Sequence, residues 1–221
     1  MSAVVEWLHT NLPKIVSQKV PGVQADLDNR FILVGHSGGG HTMTRFLAKA
    51  CDTVKMLILL SPVDGLDPFG KGHKMIIEDG KKLPFAVPTF VLSAGRDNQG
   101  AYDEPPCAPN NVSNMHFYNA MSGPKWYMNF VHYGHIDFYN PEYWNWYACS
   151  NCDLKNCSYT DYRDGLKLIF IDMVDAVFNK NRTALETFEK GDYHHIQNTH
   201  QHDYQGYEPL SGGFCKRLDQ T

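Results

Sequence analysis

The amino-acid sequence predicts an open α/β fold, in which a mostly parallel sheet carries helices on both faces. Four short segments have the composition or polarity pattern of strands, at residues 31–34, 54–60, 88–94 and 126–132. Apolar side chains at helical spacing lie before, between and after these segments. Strands and helices in this order favour a mostly parallel sheet with right-handed crossovers.

Each predicted element has a local signal. Residues 4–16 carry apolar side chains at helical spacing, and Pro21-Gly22 ends that helix. A second apolar helical face runs from Met43 to Ala50 and is expected to pack on the sheet. The segment 54–60 is almost wholly apolar, as strands buried on both faces are. The later elements are a short helix over 112–121, an aromatic segment over 139–147 that is expected to pack on the sheet as a helix, and an amphipathic helix over 166–177.

The segment most informative about function is Gly35-His36-Ser37-Gly38-Gly39, which follows the first predicted strand and precedes a helix. In that context, Gly-x-Ser-x-Gly is typical of the nucleophile elbow of α/β-hydrolases, where a strained turn exposes the serine hydroxyl at the edge of the sheet. We expect the glycines two positions either side of Ser37 to leave room for the helix to turn back past the strand. The side chain of His36 is expected to point away from the site.

Ester hydrolysis by such a serine needs an acid and a histidine, which follow the serine in that order along the chain, and donors for the oxyanion. His135 fits the base because it follows the last predicted strand. Two acids fit: Asp97, after the third predicted strand, is the first choice, and Asp64, after the preceding strand, is the alternative. The N–H of Gly38 is expected to be one oxyanion donor, and no early loop that would supply a second precedes the elbow.

Length and composition favour a single domain. At 221 residues the chain is long enough for one core, and no change in composition divides it. We expect a partial α/β-hydrolase-like domain over residues 1–190 and a polar C-terminal tail over 191–221. The histidines of that tail are expected to be solvated rather than to bind a metal; they are His194, His195, His200 and His202.

Composition argues against several other classes of protein. The formal net charge of −4 and the shortness of the basic stretches give no reason to expect a nucleic acid partner. No run of about eighteen uncharged apolar residues is present, so no transmembrane segment is expected. Of the six cysteines, Cys149, Cys152 and Cys157 are closely spaced but lack a fourth ligand at zinc-like spacing. We therefore expect disulfides, with no metal and no cofactor.

The segment before the elbow is short. About thirty residues precede the first predicted strand, whereas a hydrolase of this type needs several strands there. We therefore expect the N-terminal part of the protein, with any targeting segment, to be missing from this chain. Asn-x-Ser/Thr triplets at Asn111, Asn156 and Asn181 are compatible with a secreted or organellar protein.

Several segments together resemble the chlorophyllase family of α/β-hydrolases, from about Trp7 to about Phe178. The similar segments are Gly35-His36-Ser37-Gly38-Gly39-Gly40, Pro62-Val63-Asp64-Gly65, Pro105-Pro106-Cys107-Ala108-Pro109 with Phe117-Tyr118, Tyr133-Gly134-His135-Ile136-Asp137, and the pair Cys149 and Cys152. The resemblance implies a metal-independent enzyme that hydrolyses the phytyl ester of chlorophyll to chlorophyllide and phytol. Ser37 and His135 match the serine and the histidine of the family.

The chain departs from the family at the acid and beside the serine. Plant members have arginine at the position of Gly38, and their acid lies just before the Pro-Val segment, where this chain has Ser61. They lack an aspartate at the position of Asp97. A relocated acid would account for both differences at the acid, so Asp97 remains the first choice and Asp64 the alternative.

We expect a serine carboxylic ester hydrolase that acts on a large apolar ester such as chlorophyll. Because a fold and a triad do not determine the substrate, a general esterase or lipase-type enzyme is an alternative. A truncated, non-catalytic relative that only binds pigment or lipid is a further alternative.

Overall fold

A computed structural model describes residues 2–25, 27, 31–65, 74–100, 105–139, 152–153, 155–193, 196–203 and 215–218. Its described α-helices are α1 (Ser2–Lys19), α2 (Gly38–Ala50), α3 (Met115–Ala120), α4 (Tyr159–Phe178) and α5 (Arg182–Lys190). Its described strands are β1 (Phe31–His36), β2 (Val54–Leu60), β3 (Phe85–Ala86), β4 (Thr89–Ala94), β5 (Lys125–Phe130), β6 (Asn198–Asp203) and β7 (Lys216–Arg217).

Within the described residues, the main sheet has the strand order β1-β2-β4-β5-β6. The first four of these strands are parallel, and β6 is antiparallel to β5. Because parallel strands all end at the same edge of a sheet, the segments that follow β1, β2, β4 and β5 meet there. Those segments carry all of the site residues that the sequence predicts.

Both faces of the sheet are packed. On one face, Met56 and Ile58 of β2 belong to a buried cluster that includes Ile169 of α4. On the other face, Leu57 and Leu59 belong to a second cluster with α2. The alternation explains why β2 is apolar throughout, since neither face meets water. The predicted α/β-hydrolase-type fold, a mostly parallel sheet with helices on both faces, is confirmed.

The C-terminal segment extends the sheet beyond residue 190. Strand β6, within the expected polar tail, pairs with the full length of β5 and forms the edge of the sheet. Its side chains, including His200 and His202, are mostly exposed. Backbone hydrogen bonds to β5 hold the strand in the sheet, so it needs no apolar side chains. His194 and His195 lie outside the described residues.

Disulfides, which the sequence favours over zinc, are present. Cys51, next to the end of α2, is bonded to Cys215, and both side chains are buried. This bond spans 164 residues of chain and ties the C-terminal segment to the domain, where β7 pairs with β3. Cys152 is bonded to Cys157. Cys149 lies outside the described residues.

Most predicted helices and strands are confirmed, although some bounds differ: α4 begins at Tyr159 rather than at residue 166, and α5, β6 and β7 were not predicted. Helix α3 begins at Met115 rather than at residue 112, because Asn114 has φ 43° and ψ −95°, which no helix accommodates. Strand β5 ends at Phe130, two residues early, and the two-residue strand β3 is too short to give a periodic signal. Of the aromatic segment 139–147, only Tyr139 is described. None of the described helices combines the length and apolar character needed to cross a lipid bilayer.

Candidate active site

Ser37 occupies a strained turn between β1 and α2. Its backbone has φ 54° and ψ −128°, a conformation that costs a residue with a side chain about 1–3 kcal/mol. The turn is held by main-chain hydrogen bonds: the Ser37 N–H donates to the Leu60 carbonyl at 3.1 Å, and the Ser37 carbonyl accepts from the N–H groups of Gly40 and Val63, both at 2.9 Å. Strand β2 and the loop after it therefore fix the serine in the geometry of a nucleophile elbow.

The glycines around Ser37 have unequal roles. A Cβ atom at Gly35 would lie 2.6 Å from the Gly39 carbonyl oxygen, so only glycine lets the helix pass the strand. A Cβ atom at Gly40 would lie 2.6 Å from the Pro62 Cβ. At Gly39, nothing lies within 4 Å of the added atom. The expectation that both flanking glycines make room is correct for Gly35 and wrong for Gly39, whose place is taken by Gly40.

His135 and Asp97 form a buried pair. The His135 Nδ1 lies 2.9 Å from Asp97 Oδ1, and the two side chains are 4% and 3% exposed. Since the carboxylate engages Nδ1, Nε2 is the ring nitrogen that remains to act as a base. The other carboxylate oxygen, Oδ2, accepts from the Ala94 N–H at 3.1 Å and from the Asn114 Nδ2 at 2.8 Å. The structure thus brings the first-choice acid to the Nδ1 side of the candidate base.

His36 connects the elbow to the His135 loop. Its ring centroid lies 4.7 Å from that of His135, and its Nε2–H donates to the His135 carbonyl at 3.0 Å. Phe138 packs edge-on against the same ring, also at 4.7 Å. The expectation that His36 points away from the site is wrong, because its ring contacts both the ring and the carbonyl of His135. The residue before Ser37 is thereby fixed against His135.

The environment of His36 keeps its imidazole neutral. Burial, together with the charge of the neighbouring His135, lowers the pKa of His36 to about 4. The backbone hydrogen bond to His135 opposes this effect without cancelling it. Near neutral pH, His36 therefore acts as an uncharged N–H donor rather than as a second base.

Asp64, the alternative acid, belongs to a different cluster. Its Oδ1 lies 2.8 Å from the His41 Nδ1, and its carboxylate accepts from the N–H groups of Ile76 and Ile77 at 3.1 and 2.9 Å. The His116 Nε2 lies 3.6 Å from the other oxygen. Burial alone would raise the pKa of Asp64, but the nearby His116 and the hydrogen bonds with His41, Ile76 and Ile77 outweigh it and lower the pKa to about 2. These contacts join α2, the loop after β2 and α3.

The expected oxyanion donor lies at a helix N-terminus. Gly38 is the first residue of α2, so the helix itself does not use its backbone N–H. The positive end of the helix dipole also favours a negative charge there. Gly38 directly follows Ser37, which suits its N–H to an oxygen on a group that the serine attacks.

Asn114 is a polar neighbour of the candidate triad that the sequence analysis missed. An asparagine just before a short helix indicates an N-cap, whereas this side chain makes no cap hydrogen bond and contacts Asp97 instead.

Among the described residues, no group of three or more His, Cys, Asp or Glu side chains is arranged to hold a metal ion. The described contacts join His135 to Asp97 but include no hydrogen bond between Ser37 and His135, so the structure shows a serine in a strained turn and a buried His–Asp pair at the same edge of the sheet.

Comparisons with known proteins give a family match, a curated relative and a similar solved structure. A family model described as Chlorophyllase matches residues 1–201. Over 183 residues the chain is 25% identical to Chlorophyllase-1 of Arabidopsis thaliana. This alignment covers 76% of this chain and 55% of the Arabidopsis protein. The chain thus spans about half the length of this curated relative. The solved structure of a ferulic acid esterase from Streptomyces cinnamoneus is similar over 62% of this chain and 34% of its own, with 19% identity and a TM-score of 0.35.

Proposed function

This chain belongs to the chlorophyllase family, as the family match over residues 1–201 shows, and from that premise we propose that it is a serine carboxylic ester hydrolase. We further propose that its substrate is the phytyl ester of chlorophyll, which it cleaves to chlorophyllide and phytol. The observation that carries the proposal is the buried contact of 2.9 Å between His135 Nδ1 and Asp97 Oδ1, at the edge of the sheet where Ser37 stands in a strained turn.

The proposed reaction has two halves. In the first, the Ser37 hydroxyl attacks the ester carbonyl carbon while His135 Nε2 takes its proton, and the Gly38 N–H stabilises the oxyanion. His135 then gives that proton to the departing phytol oxygen, which leaves an acyl-enzyme. In the second half, water loses a proton to His135 and attacks the acyl carbon, and the proton returns to Ser37. Asp97 holds the imidazole in the Nδ1–H tautomer and stabilises its protonated form.

The pigment ester as substrate is supported by the family match and by the name of the Arabidopsis relative. The general ester chemistry has separate support in the described geometry, because an elbow serine and an Asp–His pair suit any ester that reaches them. The test therefore uses two substrates: chlorophyll, followed by release of chlorophyllide, and a short chromogenic ester. Activity on the short ester alone would favour a general esterase or lipase-type enzyme.

Three variants separate the proposed roles. Ser37→Ala is expected to abolish hydrolysis of both substrates and labelling by a fluorophosphonate probe. Asp97→Asn is expected to lower turnover about 1,000- to 10,000-fold, because the ring would then present the wrong tautomer. Asp64→Asn serves as the matched control and should retain the activity of its folded fraction.

Two results would contradict the assignment. An unaffected Asp97→Asn variant would make Asp64 the acid. Failure of the probe to label Ser37 in folded protein would indicate a non-catalytic relative that binds pigment or lipid.

A further inference from the structure

Asn114 is in direct contact with the candidate acid and is itself buried. The residue is 9% exposed, and its Nδ2 lies 2.8 Å from Asp97 Oδ2. The nitrogen must be the atom that faces the carboxylate, because the amide oxygen would repel it. Within the described part of the chain, the amide oxygen that is left over is buried without a hydrogen-bond partner.

Two features of Asn114 are unfavourable for folding. Its φ of 43° and ψ of −95° lie outside the left-handed well that asparagine tolerates, a conformation in which a residue with a side chain is strained. The unpartnered amide oxygen adds the cost of removing a polar atom from water. The backbone bonds of this position, such as the N–H donated to Pro62 at 3.3 Å, do not depend on the side chain. Glycine would adopt the same backbone with neither cost, so what asparagine supplies here and glycine does not is the hydrogen bond to Asp97.

We propose that Asn114 is a positioning residue for the reaction proposed above, and the inference rests on that function. Asp97 Oδ2 accepts from both the Ala94 N–H and the Asn114 amide, so Oδ1 is the oxygen left to face His135. Two donors on one oxygen fix the plane of the carboxylate. Without the amide, the remaining donor to Oδ2 among the described residues is the Ala94 N–H, which also lies 3.2 Å from Ser61 Oγ, and the carboxylate can rotate away from the Nδ1–H of the imidazole.

Asn114→Gly tests this role because it removes the amide and relieves the backbone strain together. Because relief of the backbone strain offsets the lost hydrogen bond to Asp97, the variant is expected to fold, and kcat is compared per folded protein. Its kcat should fall about 10- to 100-fold, the size expected for a hydrogen bond to a charged group, with little change in KM. Asn111→Gly, an exposed position in the same loop, is the matched control and should leave kcat unchanged.

A double-mutant cycle shows whether Asn114 acts through Asp97. In an Asp97→Asn background, Asn114→Gly should have no further effect on kcat, since the carboxylate that it orients is gone. A purely structural role predicts the same fold-loss in both backgrounds. Equal losses would therefore overturn the inference.

A readout without turnover separates this inference from the proposed function. The ¹⁵N chemical shifts of the His135 ring, assigned by comparison with His135→Gln, report how much of the ring carries its proton on Nδ1. We expect that fraction to fall in Asn114→Gly. A wild-type protein without esterase activity would refute the proposed function, whereas an unchanged tautomer in the glycine variant would overturn the role of Asn114 whatever the activity.

Discussion

Lowering the pH below neutrality should destabilise this protein through His36. The pKa of that imidazole falls from the ordinary value of 6.5 to about 4 in the folded protein, chiefly through burial. The unfolded chain therefore binds a proton more readily than the folded one between these values. The contribution of neutral His36 to the free energy of unfolding is fully present above about pH 6.5 and is lost as the pH falls towards 4.

The size of the effect follows from the two pKa values, 6.5 unfolded and about 4 folded. Each pKa unit corresponds to about 1.4 kcal/mol, so the whole loss is about 3 kcal/mol, of which about 2 kcal/mol is reached by about pH 5. His36→Gln removes the titration and keeps an N–H that can donate to the His135 carbonyl. Between about pH 7 and about pH 5, the free energy of unfolding should therefore fall by about 2 kcal/mol less in the variant than in the wild type.

Urea unfolding at the two pH values, followed by tryptophan fluorescence, measures this difference. Other groups also titrate in this range, but their contributions cancel when the variant is compared with the wild type at the same pH. His9→Gln, on an exposed position of α1, should follow the wild type. Equal pH-dependent losses in wild type and His36→Gln would refute the reasoning, because they would mean that His36 is not desolvated by its contact with the His135 loop.

Three further predictions concern the elbow, the second acid and the long disulfide. Gly35→Ala should lower the free energy of unfolding by more than about 2 kcal/mol, because its Cβ would clash with backbone, whereas Gly39→Ala should be neutral or stabilising by up to about 1 kcal/mol. Thermal unfolding that ranks the two variants in the opposite order would contradict the packing at the elbow. Asp64→Asn should lower the free energy of unfolding by about 2 kcal/mol at neutral pH, because the wild-type carboxylate has a pKa of about 2, and the variant should lose less stability than the wild type as the pH falls from about 4 towards 2. An unchanged pH dependence in urea unfolding would show that the hydrogen bonds to Asp64 contribute nothing. Replacing both Cys51 and Cys215 by serine should cost about 2–5 kcal/mol because the bond closes a loop of 164 residues, and a denaturant midpoint equal to that of the wild type would argue against the pairing.

Local signals in the sequence were sufficient to predict the strands and helices in the interior of the fold. Strand β2 could be predicted because a strand buried on both faces must be apolar at every position, and helix α2 because its apolar residues recur at helical spacing. The elbow at Ser37 could be predicted because the chemistry of a strained strand-to-helix turn requires particular residues within five positions. The resemblance to the chlorophyllase family, now shown by the family match, depended on motifs of the same local kind.

The edge of the sheet gave no such signal. Strand β6 is held by its pairing with β5, and edge strands exposed on both faces carry no alternation of apolar and polar residues. Its sequence, Asn198–Asp203, is therefore indistinguishable from a polar tail. Only the position of β5 beside it makes the pairing possible.

By itself, the sequence determined that a serine stands in an elbow and that a histidine follows the last parallel strand. Both signals depend on neighbours within a few residues. It left the acid open, because Asp97 and Asp64 each follow a buried strand at the same edge of the sheet. Tertiary structure decided which carboxylate meets the His135 ring and which is held by His41, and it brought Asn114 to Asp97. Such contacts join residues that are distant in the chain, and their geometry exists only once the strands have paired.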